Sequence, residues 1–264
     1  MRSAWSWNRA VNPTDQKAWQ DLLDAFATVR ADDGAPFDAY YFGAFAPAPS
    51  YDEYCGGQCI EGLGYVVSDA EDAASRAAVG LDFPELLQQV APHEVGHGHG
   101  RRHTPCGATA DIDPNYPYPN GVIGSWGLDV ETKTVVDPKA NFDIMGYCVP
   151  YWISDYNYAA NFERMQAVRF GADRFKERSS VANFERARVG GDGNLVSLSP
   201  IALQSAGSVE HRVEMETEHG VEVTLAHYAP YDHADGGVLT WRAPTTRAKH
   251  TRITMGERVL ELTP

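Results

Sequence analysis

The sequence predicts an α+β fold in which helices and strands are segregated along the chain. Helix-period apolar spacing recurs before about residue 180, and period-two alternation fills much of the stretch after about residue 190. A loop-like composition of Pro, Gly, Asn, Asp and aromatics separates two of the helices. At 264 residues the chain can bury a full core, as one large domain or as a domain with a small module. The glycines of residues 190–193 mark the expected boundary, leaving a domain over residues 1–189 and a small all-β module over 190–264.

Taken in order, Thr14 is placed to cap a first helix running to about Arg30, with Trp19, Leu22, Leu23 and Phe26 on one face. Residues 38–45, 62–68 and 76–83 read as strands, the first two separated by a loop that carries Cys55 and Cys59. Pro84 suits the first turn of a second helix continuing to Gly100, with Pro92 as a local irregularity. A long loop follows to about Pro138. Another helix starts at about Asp155, capped by Ser154, with Phe162, Met165, Val168 and Phe170 roughly on one side. In the tail, residues 207–216, 220–228, 238–241, 252–255 and 258–262 read as half-buried antiparallel strands.

A formal charge of −14, from 22 Lys plus Arg against 36 Asp plus Glu, argues against nucleic acid or an anionic membrane surface as partner. No apolar run approaches the roughly 20 residues that span a bilayer, and the first ten residues lack the apolar stretch of a signal peptide. The chain is therefore intracellular or has lost its leader. Its four cysteines favour the second case, because an even, low count suits two disulfides in an oxidising compartment, in one of three connectivities. A four-thiolate zinc site is disfavoured, since no paired C-x2-C pattern occurs.

Residues 93–103, H-E-V-G-H-G-H-G-R-R-H, hold four of the nine histidines. On a helix, His93 and His97 share a face one turn apart and present two imidazoles to one metal ion, while Glu94 is rotated away to act as a base. Gly100 suits the left-handed stop of that helix, after which the chain can turn back and deliver His103. Three neutral imidazoles leave one tetrahedral position of a Zn2+ ion open. His99 lies off this face.

These residues resemble the extended zinc motif of the metzincin zinc endopeptidases, matched at His93, Glu94, His97, Gly100 and His103. Residues 142–148, F-D-I-M-G-Y-C, resemble their Met-turn, with Met145 in the methionine's place. The resemblance covers the organisation of residues 10–178 and is specific at the zinc helix and the Met-turn. It implies a metzincin-like catalytic domain: a twisted mixed sheet, an active-site helix, the Met-turn and a C-terminal helix. It also implies one catalytic Zn2+ on His93, His97 and His103, general-base catalysis by Glu94, and Met145 as an apolar floor. Tyr147 resembles the tyrosine that approaches zinc in astacins and serralysins. Thr104 departs from both, which have Glu and Pro there, so the subfamily is unassigned. If the third ligand and the Met-turn meet at the metal, Cys106 and Cys148 lie close together, which implies the pairs Cys106–Cys148 and Cys55–Cys59.

The expected function is a secreted zinc endopeptidase acting on protein or peptide substrates, glycoproteins included. The alternatives are a non-catalytic adhesion or carbohydrate-binding protein on the same scaffold, and a zinc amidase acting on a non-protein amide. Asp111, Asp113 and Asn115 alternate like the start of an EF-hand, but Tyr116 and Val122 occupy positions that need Gly and an acid. Tyr116, Tyr118 and Trp126 are expected to line the substrate cleft. No G-x-S-x-G or P-loop sequence occurs.

Overall fold

The computed structural model describes residues 5–107, 110–178, 181–208 and 210–262. Among these, four α-helices combine with a three-stranded sheet, a curled seven-stranded sheet and two small two-stranded pairs. None of the helices is long and apolar enough to cross a membrane.

Helix α1 (Gln16–Asp32) is capped by Asp15 rather than Thr14, the Asp15 carboxylate accepting from Ala18 N at 3.1 Å. It buries Trp19, Leu22, Leu23 and Ala27 against the sheet β1 (Tyr41–Phe45), β3 (Ala77–Leu81) and β2 (Gly62–Gly64). In that sheet β3 is central, parallel to β1 and antiparallel to β2. All five β3 residues are buried because both faces are covered. Ala77, Val79 and Leu81 join the α1 core, whereas Gly80 faces Val90 of α3 (Pro84–Gly98). The helix α3 runs through Pro92 without a break. All three strands are shorter than the sequence patterns suggest. β2 stops at Gly64, and Tyr65 instead forms an antiparallel bridge with Tyr231.

The short helix α2 (Tyr51–Cys55) is capped by Ser50 and followed by the Cys55–Cys59 disulfide. The region read as one long loop contains a hairpin, β4 (Gly127–Asp129) with β5 (Thr134–Val136). β6 (Phe142–Asp143) and β7 (Tyr151–Trp152) then pair in parallel before α4 (Asp155–Arg178). Ser154 caps α4, its hydroxyl accepting from Asn157 N at 3.1 Å. The apolar side expected on α4 is mostly exposed: Phe162, Met165 and Phe170 face solvent and only Val168 is buried. Farther along α4, the Arg164 guanidinium donates to the carbonyls of Val67, Ser68 and Asp69.

The seven-stranded sheet is antiparallel throughout, in the order β14 (Arg258–Leu262), β13 (His250–Met255), β10 (His211–Thr217), β11 (Gly220–Pro230), β12 (Gly237–Arg242), β8 (Ala182–Val189), β9 (Leu195–Leu203). It curls around Ala187, Val213, Met215, Leu239, Trp241 and Ile253. Pro200 is tolerated in β9 because that strand is at the edge. The boundary expected between residues 189 and 190 falls between two paired strands of this sheet, which begins at Ala182. The cause is β8 itself. Ala187 and Val189 face the curled core, while Arg186 and Arg188 are buried on the other side against α1, so both faces of the strand are covered even though one carries arginines.

Candidate metal centre

The last two turns of α3 bring His93 and His97 together with their Nε2 atoms 3.1 Å apart. Gly100, at φ +81°, then reverses the chain, and a Cβ there would lie 2.8 Å from the Val67 carbonyl. His103 returns toward the helix, its ring 4.7 Å from that of His97 and 5.4 Å from that of His93. Each imidazole is held the same way. His93 Nδ1 lies 2.8 Å from Ile144 O, His97 Nδ1 2.7 Å from Arg101 O, and His103 Nδ1 2.8 Å from Ala110 O. A carbonyl only accepts, so Nδ1 carries the proton in all three and Nε2 presents a lone pair to the shared centre. Two facing lone pairs at 3.1 Å repel one another unless a cation neutralises them, and this spacing suits two nitrogens on one small divalent ion. Burial holds His93 down at about 4 and His97 well below the usual histidine range, which keeps these rings neutral.

Met145 is buried directly against Gly96, where any Cβ would collide with its sulfur. Its turn is tied to the third histidine's loop by Thr104 N donating to Met145 O at 3.0 Å, by Tyr147 N donating to Cys106 O at 3.1 Å, and by the Cys106–Cys148 disulfide. Asp143 fixes the other side. Its fully buried carboxylate accepts from Met145 N, Ser154 N and Asn157 Nδ2, each at 2.8 Å, so the turn is clamped to the start of α4.

Glu94 is 2% exposed and lies over β2, where a Cβ on Gly62 would strike its carboxylate. The G-L-G sequence of β2 thus allows the helix its close approach. Burial, with Asp232 beside it, pushes the Glu94 carboxyl well above the usual range, and burial likewise raises Asp232. Two buried carboxylates, Glu94 and Asp232, thus stand side by side against imidazole nitrogens, which fits a site that takes up a positive charge. Tyr147 is 42% exposed, with its hydroxyl 3.1 Å from His103 Nε2.

Two residues of this centre come from the tip of the β11–β12 hairpin. Asp232 Oδ2 lies 3.4 Å from His97 Nε2, and the His233 ring lies within 4.8 Å of that of His103. The ligand atoms of His93, His97, His103 and His233 all fall within 4.8 Å of one another, as do those of the overlapping group Glu94, His97, Asp232 and His233. Neither Asp232 nor His233 stands out in the sequence. The sole local signal is a histidine flanked by acids in D-H-A-D, at a hairpin 130 residues beyond His103.

A cleft of about 590 Å3 opens beside the histidines, with Tyr51, Gln58, Ile60 and Gly62 of β2 along its wall. Tyr116, Tyr118 and Trp126 do not line it. Tyr116 donates to Val122 O and packs edge-on to Tyr118 and Tyr156, Tyr118 donates to Asp155, and Trp126 faces solvent. Asp113 shapes its own loop, accepting from Asn115 N and Tyr156 Oη. His99 stacks on Tyr40, away from the centre. No protein-family model matches the chain, and comparison with curated proteins and with solved structures finds no match.

Proposed function

We propose that the protein is a secreted zinc-dependent endopeptidase. The observation that carries this reading is the set of three buried imidazoles whose Nδ1–H groups are committed to backbone carbonyls, converging beside buried Glu94 at the wall of an open cleft. All-nitrogen donors suit zinc, and two disulfides suit an oxidising compartment. Held by His93, His97 and His103, zinc supplies a Lewis acid that polarises a scissile carbonyl.

The chain's own groups do the rest. Glu94, buried beside the imidazoles, takes a proton from the attacking water and returns it to the leaving amine. The Tyr147 hydroxyl, beside His103, donates to the developing oxyanion. Gly62, in the outer strand β2 and on the cleft wall, offers backbone groups to an extended peptide.

The test is incubation of the zinc-loaded chain with a peptide library, with and without chelator, read by mass spectrometry beside the Glu94→Gln variant. Chelator-sensitive cleavage is expected from the wild type, and Glu94→Gln should keep its zinc while losing nearly all turnover. Full turnover by that variant would refute the mechanism. One observation favours a second reading, a non-catalytic metal-bearing binding protein: a fourth histidine stands at the centre, as in closed structural sites. Zinc binding with no cleavage of any peptide would select it.

A further inference from the structure

We propose that His233 is a fourth protein ligand that closes the metal centre in the resting protein, and that its contact with Tyr147 bars the cleft until substrate displaces the ring. The proposal rests on the metal centre described above and adds to it a latent state.

The backbone beneath His233 is fixed. Val66 N donates to Pro230 O at 2.9 Å, Asp232 N to Gly64 O at 3.2 Å, and Gly64 N to Asp232 Oδ1 at 3.0 Å. Tyr231, next in the chain, is buried with its hydroxyl on Asp24. The hairpin tip is thus an extension of the β2 edge, and the imidazole is delivered to the centre by construction.

The ring itself is held differently from the other three. His93, His97 and His103 are each locked by a backbone carbonyl, whereas the His233 nitrogens face only side chains: Tyr147 Oη at 2.8 and 3.0 Å, Asp232 Oδ2 at 3.1 Å and Glu94 Oε1 at 3.7 Å. Its side chain is 22% exposed, against 1% for His97. Rotation about its own side-chain bonds can therefore remove it without moving the hairpin.

The position of the pair across the cleft is the second observation. Tyr147 and His233 line both the 590 Å3 space toward α2 and a 350 Å3 space on the side of Asp111 and Asp235. A chain running from one space to the other must pass the Tyr147–His233 contact. Four nitrogens around one ion also leave no position for a substrate carbonyl.

Cobalt-substituted and zinc-loaded full-length protein test this, read by visible absorption and by X-ray absorption counting of imidazoles. The wild type should show four imidazoles, and His233→Ala three plus an oxygen donor. Acetohydroxamate should bind His233→Ala at least 10-fold more tightly than wild type, and His233→Asn, closer in size, should behave alike. Three imidazoles in the wild type, with unchanged spectra and equal hydroxamate affinity in both variants, would overturn the proposal. Failure of the wild type to bind either metal would overturn it together with the metal centre. A four-to-three change without any peptide cleavage would instead sustain it while removing the endopeptidase reading.

Discussion

At Gly96 the lack of a methyl group decides whether Met145 can lie beneath the histidines, because any Cβ there meets the sulfur. Alanine inside a helix ordinarily gains roughly 1 kcal/mol over glycine. Gly96→Ala should nevertheless destabilise, by about 1–3 kcal/mol of overpacking, and should weaken zinc binding by shifting the turn that carries Ile144 O. Thermal melts of Gly96→Ala, Met145→Ala and the double variant check this: the combined loss should be smaller than the sum, since the second change restores the space. Strict additivity would mean the two do not touch. At this scale the ligand set was partly legible. His93 and His97 are readable because coordination imposes the spacing of one helical turn, and His103 because Gly100 marks where the chain turns back toward them. Asp232 and His233 are not, because what places them is a strand bridge between Tyr65 and Tyr231 that no local pattern encodes.

Among the elements, the turn that carries Met145 is held between two clamps, the Cys106–Cys148 bridge on one side and Asp143 on the other. The disulfide closes a 42-residue separation, worth ~4 kcal/mol in the chain-entropy model. Asp143 acts in the folded state, where it joins the turn to α4 through three donors. Asp143→Ala should strand Met145 N, Ser154 N and Asn157 Nδ2 in the interior at a cost of about 3–5 kcal/mol. Urea unfolding measures this, and a loss below 1 kcal/mol would show that the turn and α4 are held by other contacts. The same residues explain what the sequence hid. The motif around Met145 was visible, but Asp143 reads as an ordinary acid of a loop. β8 was missed for a related reason: its Arg186 and Arg188 look solvated until α1 supplies Asp24 as their partner.

For the whole molecule, the question is what binds the curled sheet to the layers that carry α3 and its histidines. Asp24 of α1 accepts from Arg188, Tyr65 and Tyr231, and Ala229, Tyr231 and Val238 share one core with Trp19 and Leu63. A second tie is His227 of β11, whose Nε2 lies 3.1 Å from Asp72 Oδ2 while its Nδ1 faces Ser208 O at 2.7 Å. Burial opposes charge on this histidine, but Asp72, Ser208 O and the nearby Asp69 outweigh it and raise it to about 9. Because the folded state binds the proton more tightly than the unfolded chain, whose value is near 6.5, the pair stabilises fully below about pH 6.5. That contribution fades as pH rises and is gone once pH passes about 9. The difference in urea midpoint between wild type and His227→Gln should therefore be largest at pH 5–6, shrink through pH 8, and vanish near pH 10. Loss of any metal bound by the histidine cluster at low pH affects both proteins alike and cancels in the difference. A gap that stays constant from pH 6 to pH 10 would show that His227 contributes through contacts that do not depend on its charge.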